Sequence, residues 1–188
     1  IEDINSIEEI KSYFNYIHKR FDKSIIYNNL KEFKDIMKEN SELFDINEPL
    51  YISKKYAPIH YACMYGYIDM LKDLIFIYNA DVNLISENGW SPLHISSYKG
   101  HLDIVTILLS QKNINYNLTL PKIGTALHCA CKNNNYKIVS MLLHLCNPLI
   151  KNENNLFPIN ISTNSNIKRI INKISKDSLP TRKCEYFI

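Results

Sequence analysis

The densest group of reactive side chains in the chain is His128, Cys129, Cys131, His144 and Cys146. Thiolates and imidazoles are the preferred ligands of zinc, and a thiol beside an imidazole is also a minimal arrangement for nucleophilic catalysis. The spacing speaks against both. Paired zinc ligands ordinarily carry a spacer of about two to four residues, whereas Cys129-x-Cys131 and His144-x-Cys146 leave a single residue between them. Cys129 and Cys131 also fall in a short apolar segment, where a thiol packs as a small hydrophobe. An enzyme needs a nucleophile, a base and an orienting group converging on one pocket, and the sequence offers no such set. It offers no phosphate-binding loop either, because the four glycines, Gly66, Gly89, Gly100 and Gly124, are isolated from one another. Neither a cofactor nor a metal is expected, and the chain is read as non-catalytic.

The five cysteines are an odd number in apolar surroundings, which reads as reduced, buried thiols of an intracellular protein. Cys184 stands fifth from the end, so the last residues do not form a prenylation box. Two sequons, at Asn117 and Asn160, carry weight only in a secreted chain and arise readily in an Asn-rich sequence. At 188 residues, with 46% hydrophobic and 22% charged residues, the chain has enough apolar material for one core or one short repeat array. A net charge of +3 is too mild to indicate a nucleic-acid groove or a membrane-binding polybasic face. The best apolar run, Ile104 to Leu109, is broken by Thr106 and falls far short of the roughly 20 residues a membrane span needs. The chain begins at Ile1 without a leader pattern, and is read as a piece of a longer protein.

The elements that must position these residues are set by an internal repeat. Ala57-Pro58-Ile59-His60-Tyr61-Ala62, Ser91-Pro92-Leu93-His94-Ile95-Ser96 and Thr125-Ala126-Leu127-His128-Cys129-Ala130 place their histidines 34 residues apart, and a decayed copy follows at Phe157-Pro158-Ile159-Asn160-Ile161-Ser162. A second block keeps the same register: Gly66-Tyr67-Ile68-Asp69, Gly100-His101-Leu102-Asp103 and Asn134-Asn135-Tyr136-Lys137. A third, looser one runs Asn79-Ala80-Asp81-Val82-Asn83, Asn113-Ile114-Asn115-Tyr116-Asn117 and Cys146-Asn147-Pro148.

Each copy reads as a helix pair. Pro58 and Pro92 suit the first helical position, which needs no N–H, and the Ser91 and Thr125 hydroxyls are placed to accept from orphan N–H groups of the first turn. Gly66 and Gly100, and Asn134 in their stead, can take the left-handed conformation that ends the first helix. The second helix then carries a wide apolar stripe, Ile104, Val105, Leu108 and Leu109 in one copy and Ile138, Val139, Leu142 and Leu143 in the next. One such pair cannot cover its own stripe, so the copies must stack. The histidines, recurring at one position in every intact copy, read as buried hydrogen-bonding residues rather than as catalysts or ligands.

With its Thr-Pro-Leu-His-x-Ala-like blocks and 34-residue register, the chain resembles ankyrin repeats. The resemblance implies an all-α ankyrin-repeat solenoid of stacked helix-turn-helix pairs joined by β-hairpin-like fingers, with an additional N-terminal helix and degenerate end caps. The expected division is 1–20 capping helix, 21–56 degenerate first repeat, 57–90, 91–124 and 125–156 intact repeats, 157–176 truncated capping repeat and 177–188 tail or linker. Ser6 and Glu9 form a capping-box pattern that predicts the start of the first helix, whose seam is Ile7, Ile10, Phe14, Ile17 and Phe21. That helix is expected to pack on the first repeat and shield it. Asn113 to Ile123, containing Leu120-Pro121, is expected to give an irregular finger. The bias towards Ile, Asn, Lys and Tyr is that of proteins from AT-rich genomes, apicomplexans among them.

The resemblance further implies a concave groove that binds a protein partner. Carried over by position, the two residues before each helix-ending Gly or Asn are Met64 and Tyr65, Tyr98 and Lys99, and Lys132 and Asn133. Aromatic, Met and long cationic side chains suit a binding patch, and favour partner segments with acidic or apolar residues. Trp90 is read as a packing residue at a finger base. The expected function is a monomeric interaction module of an intracellular protein, with no nucleic-acid partner and no membrane insertion by this segment. The alternative is a regulatory or substrate-recruiting arm of an enzyme or lipid handler, such as a palmitoyl transferase, an oxysterol-binding-like protein or an acyl-CoA-binding protein.

Overall fold

The computed structural model describes residues 2–177, with the side chains of 7–175. Its helices alternate between two rows. The first row holds α1 (Glu2–Ile26), α3 (Pro58–Tyr65), α5 (Pro92–Lys99), α7 (Ala126–Lys132) and the single turn α9 (Pro158–Ile161). The second holds α2 (Leu30–Asn40), α4 (Ile68–Phe76), α6 (Leu102–Leu109), α8 (Tyr136–Leu142) and α10 (Ser165–Asp177). Among the described residues there is no sheet, and the architecture is the all-α stacked solenoid that the repeat implied.

The second-helix stripes meet as foreseen. Leu71 and Leu74 of α4, Val105 and Leu108 of α6, and Val139 and Leu142 of α8 have no exposed surface, and Ile167 and Ile171 of α10 close the row. Phe33, Ile36 and Met37 of α2 begin it, with Asn29 capping that helix by accepting the Glu32 N–H at 3.1 Å. Gly66 and Gly100 end their helices at φ +76° and +84°, and Asn134 takes the same conformation at +56°. A side chain on Gly100 would meet Asn135 Oδ1 at 2.9 Å, so close packing excludes one there as well.

The N-terminus differs from expectation in two ways. Ser6 lies within α1 rather than at its start, since the helix already runs from Glu2, and α1 continues without a break through Phe21 to Ile26. The helix serves two purposes along its length. Ile17, Phe21 and Ile25 are buried against the first pair, while Ile7, Ile10 and Phe14, on the same face, are 42–67% exposed. The seam therefore shields the array only over its C-terminal half. The expected tail begins at residue 177, and Cys184 lies outside the described residues.

The loops form hairpins. Leu50 with Tyr56, Ser86 with Trp90, Leu120 with Gly124 and Asn152 with Leu156 are joined by backbone hydrogen bonds of 2.9–3.0 Å. The finger containing Pro121, expected to be irregular, is instead the most regularly paired of the four: Leu120 and Gly124 bond in both directions as an antiparallel bridge, which the left-handed Lys122 (φ +62°) and Gly124 (+87°) allow despite the proline.

Candidate functional site

Three sets of side chains, each recurring with the repeat, hold the first-row helices and the fingers in place. The histidines are the first. His60 Nδ1 accepts the Ala57 N–H at 3.2 Å and His128 Nδ1 accepts the Thr125 N–H at 3.0 Å, which puts the proton on Nε2. That Nε2–H donates to a carbonyl in or just before the following finger: Leu84 from His60 at 3.0 Å, Gly124 from His94 at 2.9 Å and Leu156 from His128 at 3.1 Å. The Ser91 and Thr125 hydroxyls make no cap to the helix N–H groups. They lie against the imidazoles instead, at 2.7 Å from His94 Nδ1 and 2.8 Å from His128 Nδ1, because the ring already occupies the space above the first turn. In the decayed copy Asn160 Oδ1 accepts the Phe157 N–H at 2.9 Å, keeping the local half of the arrangement. Burial holds all three histidines neutral by lowering their pKa values, that of His94 to about 4.

The second set had no role assigned from sequence. Tyr67, His101 and Asn135, again 34 residues apart, each donate to a carbonyl at the C-terminal end of the preceding first-row helix. Tyr67 Oη reaches Ile26 O at 3.1 Å, His101 Nε2 reaches Met64 O at 3.2 Å and Asn135 Nδ2 reaches Ser97 O at 2.8 Å. Orphan carbonyls at a helix end are thus satisfied by the next repeat. The third set is an Asx ladder: Asp81 N–H to Asn47 Oδ1, Asn115 N–H to Asn83 Oδ1 and Asn147 N–H to Asn117 Oδ1, at 2.8–2.9 Å.

On this frame the carried-over residues fall at the C-terminal ends of α3, α5 and α7. Tyr65 is 53% exposed and lies in an aromatic row, its ring stacked 6.1 Å from Tyr61 and 5.6 Å from Tyr67. Tyr98 meets Trp90 edge to face at 5.7 Å, so the tryptophan braces a candidate contact residue from the finger base. Met64 is half-buried, and Lys99 and Lys132 are exposed. Among the described residues the salt bridges are Arg20–Glu32, Lys34–Asp73 and Lys72–Asp69, none of which involves either lysine. Asn133 is exposed as well, with its Nδ2 donating to Tyr98 O of the neighbouring repeat at 2.7 Å.

The Cys/His group does not assemble. Cys129, Cys131 and Cys146 are buried, His144 is exposed, and Cys146 Sγ donates to Tyr116 O at 3.1 Å. Burial pushes the thiols of Cys129, Cys131 and Cys146 up to about 12, and that of Cys63 higher still, which disfavours the thiolate that a metal or a substrate would need. Among the described residues no three His, Cys, Asp or Glu side chains are grouped to hold a metal, and no helix is long and apolar enough to cross a membrane.

A family model described as ankyrin repeats, in three copies, matches residues 59–154. No curated protein matches the chain.

Proposed function

Because the chain belongs to the ankyrin-repeat family, whose arrays are protein–protein interaction modules without catalysis of their own, we propose that it binds a partner segment across the face made by its first-row helices and fingers. The observation that carries this reading is the contrast between the two ends of each first-row helix. The N-terminal ends are locked by the buried histidines, whereas the C-terminal ends present Met64, Tyr65, Tyr98, Lys99 and Lys132 at the surface on a backbone tied to the next repeat. Preorganised aromatic side chains are residues of which interaction hot spots are built, since large rigid rings bury area at little entropic cost, and the lysines beside them suit a polar rim. Asn133, exposed and bonded to the Tyr98 carbonyl, completes the proposed contact set. The helix pairs support reading 57–90, 91–124 and 125–156 as the three intact repeats.

The test is recovery of proteins from the source cell by wild type and by a Tyr65→Ala/Tyr98→Ala/Lys99→Ala variant, read by mass spectrometry, with equal urea midpoints showing both to be folded. Partners recovered by the wild type alone support the reading. Identical recovery by the two proteins contradicts it and moves binding to another face.

A further inference from the structure

The net charge of +3 conceals a separation of charge along the array. Residues 1–103 hold 16 carboxylates and 11 cations, whereas from Ile104 to Lys176 nine cations face one carboxylate, Glu153. The carboxylates of residues 1–103 lie mostly on α1, α2, α4 and α6, and the first finger, Leu50–Tyr56, carries the exposed Lys54 and Lys55, so on the candidate face the contrast is between an aromatic stretch and a stretch of cations. The aromatic side chains Tyr61, Tyr65, Trp90 and Tyr98 belong to the first two intact repeats. Lys99, Lys122, Lys132 and Lys151 follow, all exposed, at the end of α5, the tip of the third finger, the end of α7 and the base of the fourth finger. None of the four has a carboxylate within salt-bridge distance among the described residues, and Lys151 instead lies 5.1 Å from the Phe157 ring. Glu87 and Glu153 are the carboxylates on the finger tips Ser86–Trp90 and Asn152–Leu156.

We propose that the partner segment is bipartite: an aromatic or aliphatic stretch that lies on the tyrosine row, joined to an acidic stretch that lies over Lys99, Lys122, Lys132 and Lys151. This rests on the groove reading above and adds the partner's chemistry and its direction along the array. Unpaired surface cations lose little water in meeting carboxylates at a rim, and their field accelerates and orients encounter more than it tightens binding. A protein segment fits better than a nucleic acid. The four cations are lysines, without the guanidinium fork that grips phosphate, and the aromatic row offers a partner an apolar contact that a phosphate backbone does not use.

The experiment selects random 16-residue peptides displayed on phage against the whole chain, against the Tyr65→Ala/Tyr98→Ala variant and against Lys122→Glu/Lys132→Glu/Lys151→Glu, with a Lys→Gln triple variant as a milder control for folding. The expected wild-type peptides pair an apolar cluster with an acidic one. Their binding weakens about tenfold or more between low and roughly physiological salt, as the Debye length shortens to about 8 Å. Charge reversal should abolish the acidic enrichment, and loss of the tyrosines should abolish the apolar one. Peptides that depend on the tyrosines but are neutral, or that survive charge reversal, overturn the acidic inference and leave the groove reading standing. Peptides indifferent to both variants, or an empty selection, overturn the two together. Displacement of selected peptides by a 20-residue oligothymidylate, lost on charge reversal, assigns the lysines to nucleic acid and overturns the proposal.

Discussion

Acidification should loosen the array through the histidine latches, and His94 allows the size of the effect to be worked out. Its imidazole is 1% exposed, with Nδ1 2.7 Å from the Ser91 hydroxyl and Nε2–H donated to the Gly124 carbonyl at 2.9 Å. Burial lowers its pKa from 6.5 to about 4. Between those values the unfolded chain binds a proton that the folded one refuses. The latch's stability is therefore complete above pH 6.5, declines as pH falls, and levels off below about 4. That gap corresponds to about 3 kcal/mol, at a slope of up to about 1.4 kcal/mol per pH unit. His60 and His128 are shifted in the same direction, whereas buried Asp22, whose pKa is raised by burial, binds its proton more readily in the fold and opposes the trend at the acid end. His94→Asn copies what the decayed repeat carries at Asn160, keeping the local bond to the capping residue and giving up both the titration and the bond to the next finger. Urea unfolding followed by circular dichroism from pH 7.5 to 4.5 should show the variant less stable at pH 7.5, by about 1–3 kcal/mol, because the Gly124 carbonyl loses one of its two donors, keeping the Leu120 N–H, and part of a packed ring is removed. The variant should also lose stability more slowly on acidification than the wild type. Equal slopes in the two proteins would refute the reasoning, since His94 would then titrate alike folded and unfolded.

Leu108→Ala should cost about 2–5 kcal/mol in the same assay, because Leu108 has no exposed surface between two neighbouring stripes, and a smaller loss would mean that the stripe is misassigned. Gly124→Ala should cost clearly more than Gly89→Ala, although both have positive φ, because a methyl at Gly124 meets His128 Cγ at 2.8 Å while nothing lies within 4 Å at Gly89. Equal unfolding midpoints for the two would contradict that contact. Cys63, Cys129, Cys131 and Cys146 should react with a thiol reagent at pH 8 only after urea is added, which mass spectrometry of the labelled peptides would show, and rapid labelling of any of them in the fold would mean that its burial is wrong.

What could be read from the sequence was whatever repeats. His60, His94 and His128, Gly66 and Gly100, and the stripes of α6 and α8 recur in register, and each has a local physical reason that survives in the fold. The hydroxyls of Ser91 and Thr125 were misread because capping rules describe one helix, whereas here the ring that fills the cap also bonds to the next finger. Tyr67, His101 and Asn135 share a position but no side-chain chemistry beyond a donor, so identity hid the role that spacing alone could have shown. The reach of α1 to Glu2 overrode the Ser6 pattern, because a cap motif marks a possible start and not an obligatory one. The bond from Asn133 Nδ2 to the Tyr98 carbonyl joins two repeats across a sequence distance that no local pattern reports. The charge separation needed no structure at all; the sum over the chain concealed it.

The claim that the first-row face takes the partner is tested most directly by hydrogen exchange, comparing the free chain with the chain saturated by a recovered partner or a selected peptide. The account predicts added amide protection at 61–65, 95–99 and 129–133 and at the finger tips, with α4, α6 and α8 unchanged. Protection centred on those second-row helices, or on the exposed half of α1, would contradict it.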